Sequence, residues 1–345
     1  MTVDVVIIGA GIAGLTCAKH LHKRGLEVLV LDKGKGVGGR VATRRIGDPP
    51  IAVDHGCQYL TADTDGFHRL LKDFLAQGIV TEWTRSLHTL DATGLHLDPL
   101  DAHRPRYICP QGMSSFAKAL AQGLDVRLGI PVRGLEPGSQ WRIHSPEGEW
   151  FARSVVVALP APQILPLLQP WIQEYPNFAS LLESATYAPC LSVMAGYGPQ
   201  VLPEWRGIRC IGDPELAWIA LDSSKRPDPQ SSPVLVIQST AEMASQYGDA
   251  EAEALNQAAE RLLRKVGQRL EGWMGSPQWF QIQRWRYAFA QETVGVTSLS
   301  TALPLPLVCA GDWCAGSRVE GAWLSGREAA EQVMQLFMQR AKLVK

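Results

Sequence analysis

At 345 residues, with 46% apolar and 19% charged side chains, the chain is too long for one ordinary domain and too apolar to be disordered. Two domains or one elaborated α/β unit are expected. Its 33 basic and 34 acidic groups leave a formal net charge of -1, which excludes the basic footprint of a nucleic-acid-binding protein.

Seven scattered cysteines, an odd number, argue against a disulfide framework and for a reducing compartment, so a cytoplasmic protein is expected. The first apolar run, Val5 to Ala18, has no basic lead-in and carries three glycines. It reads neither as a signal peptide nor as the ~20-residue span of a membrane helix, and a protein without membrane attachment is expected.

The chain opens on VDVVIIGAGIAGLTCAKHLHKRG. Val3 to Ile8 is a β-branched run of the kind buried on both faces of a parallel strand. Gly9, Gly11 and Gly14 then spell G-x-G-x-x-G. In that pattern the first glycine allows a tight turn, the second lets a pyrophosphate approach the backbone, and the third lets the helix pack on the strand. The helix end adds free N–H groups and a positive dipole. Ile12, Leu15, Ala18 and Leu21 recur at core-facing spacing, Lys19, Lys23 and Arg24 favour the helix end, and Gly25 is placed to stop it. His20 and His22 fall on the polar face and are expected in solvent.

A second apolar run, Glu27 to Leu31, closes a βαβ unit and ends at Asp32, 18 residues beyond Gly14. A carboxylate there accepts hydrogen bonds from ribose hydroxyls. The pattern implies a dinucleotide without saying which one. The next residues, LDKGKGVGGRVATRR, put Gly38, Gly39 and Arg40 where a glycine pair can approach a ligand and an arginine fork can meet a phosphate; a flexible loop with solvated arginines is the alternative.

No internal repeat is present. Glu82 to Pro99 shows the short alternating runs of a hairpin, CLSVMAGY and PVLVIQST read as strands, and Leu255, Leu262, Val266 and Leu270 mark one strong helix. DSSKRPDPQSSP, Asp222 to Pro233, is a loop by composition; Lys225 and Arg226 are expected to be solvated there rather than to meet an anionic substrate. All eight histidines fall at or before His144, and no H-x-x-x-H, C-x-x-C or G-x-S-x-G occurs. Cys309 and Cys314 lack partners at ligand spacing, so no metal is expected.

The glycine-rich opening is followed in the chain by DHGCQYLT (54–61), YICPQGMSSFAKAL (107–120), VVVALPAPQIL (155–165), LAWIALDSSKRP (216–227), RWRYA (284–288) and LVCAGDWCAGSRVEGAWLSGREAA (307–330). On these segments nearly the whole chain resembles the flavin-containing amine oxidase superfamily, and within it most closely the renalase-like branch with its bacterial members. The resemblance implies an α/β fold with an α+β second domain: a Rossmann-type FAD-binding domain of the hydroxybenzoate-hydroxylase kind, and a substrate domain on an antiparallel sheet. It places residues 1–75, 105–162 and 284–345 in the FAD-binding domain, and 76–104 and 163–283 in the substrate domain.

Carried over residue by residue, the resemblance sets Ala13 and Gly14 at the pyrophosphate, Asp32 at the adenosine ribose, Arg40 at the phosphate, and Gln58 with Tyr59 at the cofactor cleft. Val132 falls at a strand residue whose backbone meets adenine, and Gly311 with Asp312 at the pair that holds the ribityl chain. Lys33, Glu320, Gly321 and Ala322 complete the cofactor set. The segment Val319 to Phe337 reads as a helix whose N-terminus favours the negative charge of a reduced flavin. No cysteine stands in RWRYAFAQETV, so the FAD is expected to be non-covalent.

The activity implied is oxidation of the 2- and 6-dihydro isomers of NAD(P)H, with dioxygen taking the electrons and leaving as hydrogen peroxide. A dihydronicotinamide donates hydride directly, so no histidine base is required. Tyr59, Tyr187, Trp218, Trp285 and Trp313 are candidates to flank such a ring, although each also suits a core. Arg286, between Trp285 and Tyr287, is expected to orient an anionic substrate or to pair with a carboxylate. An amine oxidase and a flavin-binding protein without turnover stay open as alternatives.

Overall fold

The computed structural model describes residues 2–98, 104–169, 171–227, 232–314 and 316–343, with the backbone alone for 341–343. Pro99 of the expected hairpin and residues 228–231 of the expected 222–233 loop lie outside the described residues. The chain divides into two compact units, 1–40 with 116–187 and 289–345, and 41–115 with 188–288.

In the first unit β1 (Thr2–Ile8) runs into α1 (Ile12–His22) and then β2 (Val28–Asp32). β1 pairs in parallel with β2 on one side and with the strand Gly148–Val157 on the other, which explains why Val5, Val6 and Ile7 are fully buried. Asp125–Leu128 extends the sheet beyond β2, and Leu307–Cys309 joins Gly148–Val157 in parallel. The register sets Leu31, Ile8, Val157 and Cys309 level. The loops that follow these strands therefore emerge together at the carboxyl edge, where open α/β sheets bind ligands.

α1 ends as expected: Gly25 takes φ +82°, a left-handed conformation that a glycine adopts without strain. The C-terminal helix, Val319–Leu343, crosses α1 so closely that a Cβ on Gly326 would stand 2.2 Å from the Ala13 carbonyl oxygen.

The second unit is built on a seven-stranded sheet in the order 279–290, 187–196, 234–239, 216–221, 207–210, 88–91, 94–97. The pairs 187–196 with 234–239, 234–239 with 216–221, 216–221 with 207–210 and 88–91 with 94–97 are antiparallel as expected, whereas Gly207–Cys210 runs parallel to His88–Asp91. One face packs Leu191, Val193, Ile208, Ile219 and Ile237 against the helix Ala252–Arg269 through Ala258, Leu262 and Val266.

The division differs from the expected one at residues 41–75 with 105–115, at 163–187, and at 284–288, which continue the strand 279–290 and fall in the second unit. Residues 41–75 and 105–115 belong to the second unit, because Thr43–Ile46 and Ile51–Asp54 form a hairpin whose Val53 is buried with Met194, Val234 and Val236. Residues 163–187 belong to the first, because Ile164, Leu168, Phe178 and Leu182 fill its core.

Candidate functional site

The turn after β1 shows the tight turn at Gly9 and the close helix packing at Gly14 that the spacing predicts. Gly9 takes φ +108°, and a Cβ there would lie 2.5 Å from the Ala158 carbonyl oxygen; a Cβ on Gly14 would lie 2.0 Å from that of Gly9. Gly11 differs: its φ is -77° and nothing stands within 4 Å of where its Cβ would be. Gly11 is also the N-cap of α1, with no side-chain cap and no acidic residue in the first turn, so the positive helix end carries no anion of its own.

Asp32 braces this turn. Its Oδ2 accepts from the Ala10 N–H and its Oδ1 from the Gly34 N–H, both at 2.6 Å. The glycine pair lies against the same turn: Gly38 donates its N–H to the Ala10 carbonyl at 2.8 Å with φ +119°. An uncapped helix end, open space at Gly11 and a carboxylate at the tip of β2 together fit a dinucleotide. Lys33 is exposed beside Asp32.

Arg40 holds Asp312 rather than standing open for a phosphate. Its Nη1 donates to Oδ2 at 2.7 Å and its Nη2 to Oδ1 at 2.6 Å, the fork geometry that makes arginine–carboxylate pairs strong. The Asp312 side chain is 5% exposed and that of Arg40 31%. The guanidinium also lies over the Tyr187 ring, 5.9 Å from its centroid, and the Tyr187 hydroxyl accepts from the Ala161 N–H at 3.3 Å. Burial, followed by the Asp312 charge, pushes the Tyr187 hydroxyl well above the usual tyrosine range, so it stays protonated.

Around Asp312, Gly311 donates its N–H to Ser325 Oγ at 2.9 Å. A Cβ on Gly321 would stand 2.0 Å from the Gly316 carbonyl, Glu320 is buried, and the Ala322 N–H bonds the Arg318 carbonyl in the first helical turn. Two expectations fail here. Trp313 is a core residue, fully buried with its indole N–H donated to the Leu159 carbonyl at 3.0 Å, and cannot flank a substrate in this arrangement. Val132 is not in a strand: it sits half-buried just ahead of Gly134–Pro137, where Pro131 has no N–H to offer a ladder.

In the second unit the expected solvated turn is a buried ion cluster. Lys225 and Asp222 are 2% and 0% exposed, and Lys225 Nζ lies 2.9 Å from Asp222 Oδ1. Arg226 Nη2 reaches both Asp54 and Asp222 at 2.9 Å. A short 3-10 turn, Asp222–Lys225, folds both cations back onto Asp222, which composition alone does not reveal. Asp54 also accepts from the Thr43 hydroxyl at 2.6 Å and the Met113 N–H at 2.8 Å. Burial alone would raise the Asp54 carboxyl, but Arg226, Lys225 and these two bonds outweigh it and hold the group below the usual range.

Lys225 further donates to Gln58 Oε1 at 3.0 Å, while Gln58 Nε2 donates to the carbonyls of Asp54 and Gly56. The Gln58 amide is thus committed to its own loop and to Lys225 rather than open to a cofactor. Tyr59 follows, half-buried, with Trp218 and Trp83 at centroid distances of 5.6 and 6.3 Å. Arg106, 1% exposed, lies over the Tyr59 ring at 5.5 Å, and Arg209 Nη2 stands 3.5 Å from its hydroxyl.

Trp285 stacks on His55 at 5.3 Å and 15°, and donates its N–H to the His55 carbonyl at 2.9 Å. Burial and then Arg44, against a smaller opposite effect of Asp54, push the His55 imidazole down to about 4, so it is neutral near pH 7. Arg286 lies on the edge strand of the sheet, its side chain 55% exposed, and pairs with Asp249 at 2.9 Å. The carboxylate partner foreseen for it exists, but on the surface. His55, Trp83, Arg106 and Arg209 are not singled out by the sequence. His55 alone has a signal there, its place in the DHGCQY stretch.

Strand, glycine turn, helix and acid-tipped strand define a dinucleotide-binding protein, and residues 7–77 match an NAD(P)-binding Rossmann-like domain. Residues 73–334 match the family described as flavin containing amine oxidoreductase, and the chain belongs to that family. Human flavin-containing amine oxidase B is 40% identical over 86 residues, which make up 25% of this chain and 16% of that one. A lysine-specific histone demethylase homologue of Arabidopsis thaliana is 47% identical over 57 residues, 16% of this chain and 3% of its own. The chain thus matches only a small part of these relatives' length. Among solved structures, cyclohexylamine oxidase of Brevibacterium oxydans superimposes with a TM-score of 0.73 at 16% identity, over 96% of this chain and 99% of that one. Putrescine oxidase bound to putrescine gives 0.70 at 16% identity, over 97% and 99%. These likenesses carry the fold. Among the described residues no helix is long and apolar enough to cross a membrane, and no group of three histidine, cysteine or acidic side chains is placed to hold a metal ion.

Proposed function

We propose that the protein is a renalase-like oxidase that holds FAD non-covalently and converts the 2- and 6-dihydro isomers of NAD(P)H to NAD(P)+, with dioxygen as electron acceptor. In the first unit, Ala13 and Gly14 in the first turn of α1 would take the pyrophosphate, Asp32 the adenosine ribose, and Asp312 a ribityl hydroxyl. The lack of cysteine in RWRYAFAQETV supports a cofactor held without a covalent link. When bound, the flavin would supply the hydride acceptor, and the hydride with one solvent proton would leave on dioxygen as hydrogen peroxide.

The observation that carries the substrate reading is the charge around Tyr59. Its ring, with Trp83 and Trp218, suits a planar heterocycle; Arg106 over its face is cationic, and Arg209 at its hydroxyl is a second cation, shared with Asp98 at 3.4 Å. Such surroundings favour an anionic dinucleotide and oppose an ammonium ion. Tyr187, Trp285 and Arg286 contribute less to this reading, since Trp285 is stacked on His55 and Arg286 is paired at the surface.

Amine oxidation, the activity in the names of several relatives, is the second reading. Anaerobic mixing of the flavin-loaded protein with 2-dihydro- and 6-dihydro-NAD(P), ordinary NADH and a panel of amines separates the two. Bleaching of the flavin within seconds by the isomers alone is expected. Bleaching by amines alone replaces the first reading with the second, and no bleaching by any donor leaves a flavin-binding protein without turnover.

A further inference from the structure

The sheet of the second unit carries a row of side chains that its register aligns across five strands. Thr89 lies opposite Arg209, Arg209 opposite Trp218, Trp218 opposite Gln238, and Gln238 opposite Ser192. Paired residues share one face of a pleated sheet, and the sequence neighbours Leu90, Ile208, Ile219, Ile237 and Val193 point the other way into the hydrophobic core. Thr89, Trp218, Gln238 and Ser192 are each more than nine-tenths buried. Four buried polar or polar-tipped side chains in register, with Arg209, 37% exposed at its side chain and 3.4 Å from Asp98, between two of them, do not arise from packing, which favours apolar residues there.

Two of the five end in a buried polar atom without a hydrogen-bond partner, Trp218 Nε1 and Ser192 Oγ. An indole N–H is a donor only, so a buried one without an acceptor implies that something else supplies an oxygen. The position is built for the ring: a Cβ on Gly207 would lie 2.6 Å from the Trp218 indole, so glycine leaves the space it occupies. The 54–59 loop lies over the row. Gln238 Nε2 donates to the Gly56 carbonyl at 2.9 Å, the Tyr59 ring is 5.6 Å from that of Trp218, and the Tyr59 hydroxyl is 3.5 Å from Arg209.

We propose that this row is the floor of a ligand site in which the Trp218 indole N–H and the Arg209 guanidinium together bind one phosphate group of an aromatic nucleotide, with Tyr59 along its ring. Directly opposed residues on antiparallel strands stand about 5 Å apart at Cβ, so both donors reach a single phosphate. Arginine supplies the charge and the indole a direction, a combination that rejects a neutral ring lacking the anion. The identification of the nucleotide as a dihydronicotinamide rests on the function proposed above.

The test is calorimetric titration of the flavin-loaded wild type, Trp218→Phe and Arg209→Gln with nicotinamide mononucleotide, nicotinamide and inorganic phosphate. The mononucleotide binds the wild type. Each substitution weakens that binding by about tenfold or more, since each removes a hydrogen bond to a charged group. Nicotinamide affinity and flavin content stay as in the wild type, and Arg209→Gln flattens the salt dependence. Equal mononucleotide affinity in all three proteins overturns the assignment, and so does parallel loss of mononucleotide and nicotinamide binding, which marks a ring contact alone. Should Trp218→Phe unfold the sheet, Arg209→Gln decides. A wild type that binds none of the three probes overturns the site; the oxidase reading falls only if its flavin is also left unbleached by the dihydro isomers.

Discussion

Arg40 and Asp312, 272 positions apart in the chain, grip each other through two parallel hydrogen bonds at the carboxyl edge of the first unit's sheet. The pair ties the loop after β2 to the loop after Leu307–Cys309, and both loops contribute residues assigned to the flavin. Arg40→Ala is expected to lower the flavin-to-protein absorbance ratio after gel filtration. It should also cost about 2 kcal/mol of stability, since a buried carboxylate loses its charged partner on a side that is partly open to solvent. Arg40→Lys keeps the charge without the fork and should fall between. Full flavin content in Arg40→Ala would remove Arg40 from the cofactor site.

The ion cluster of the second unit gives a second expectation. Lys225→Met leaves Asp54 and Asp222 with Arg226 alone in a fully buried place, and the urea midpoint should fall by the equivalent of about 3–5 kcal/mol. Removing a carboxylate with the cation, as in Lys225→Met with Asp222→Leu, should cost less than the sum of the two single changes. Additive costs would mean that the groups do not interact.

His55 sets a pH dependence. Its folded value of about 4 lies below the ordinary 6.5, so the unfolded chain binds the proton more readily. Stability from this residue is therefore full above pH 6.5 and is lost as pH falls toward 4. Between pH 6.5 and pH 5 the wild type should lose about 1.5 kcal/mol that His55→Gln does not lose, because each tenfold difference in proton affinity between the folded and unfolded chain is worth about 1.4 kcal/mol. Parallel denaturation midpoints for the two proteins over this range would show that the imidazole is not held neutral by its surroundings.

What the sequence revealed and what it hid divide along a physical line. The β1, α1, β2 unit was legible because its determinants are local: a continuous apolar strand, glycines at fixed spacing, and a left-handed stop at Gly25. Lys225 and Arg226 were misread because a loop rich in serine, proline and charge has the same composition whether it faces water or Asp54. The surface position of Arg286 is hidden because no pattern in RWRYA says that the strand is an edge. The pairing of Arg40 with Asp312 and the row from Thr89 to Ser192 depend on register between distant segments, and no single segment carries that information.

The glycines of the first turn separate a folding role from a binding role. At Gly14 a methyl group would stand 2.0 Å from the Gly9 carbonyl oxygen, a contact that backbone cannot relieve without moving α1 off the strand. Gly14→Ala should therefore unfold at lower temperature and bind little flavin. At Gly11 the φ of -77° suits alanine and no protein atom lies within 4 Å of the new methyl. Gly11→Ala should keep the wild-type thermal midpoint as apoprotein, or gain slightly from a stiffer unfolded chain, and still lose flavin because the methyl occupies the space a pyrophosphate needs. Differential scanning of the apoproteins and flavin titration of each variant check both halves. Normal flavin affinity in a folded Gly11→Ala would place the pyrophosphate elsewhere, and with it the cofactor assignment of the whole turn.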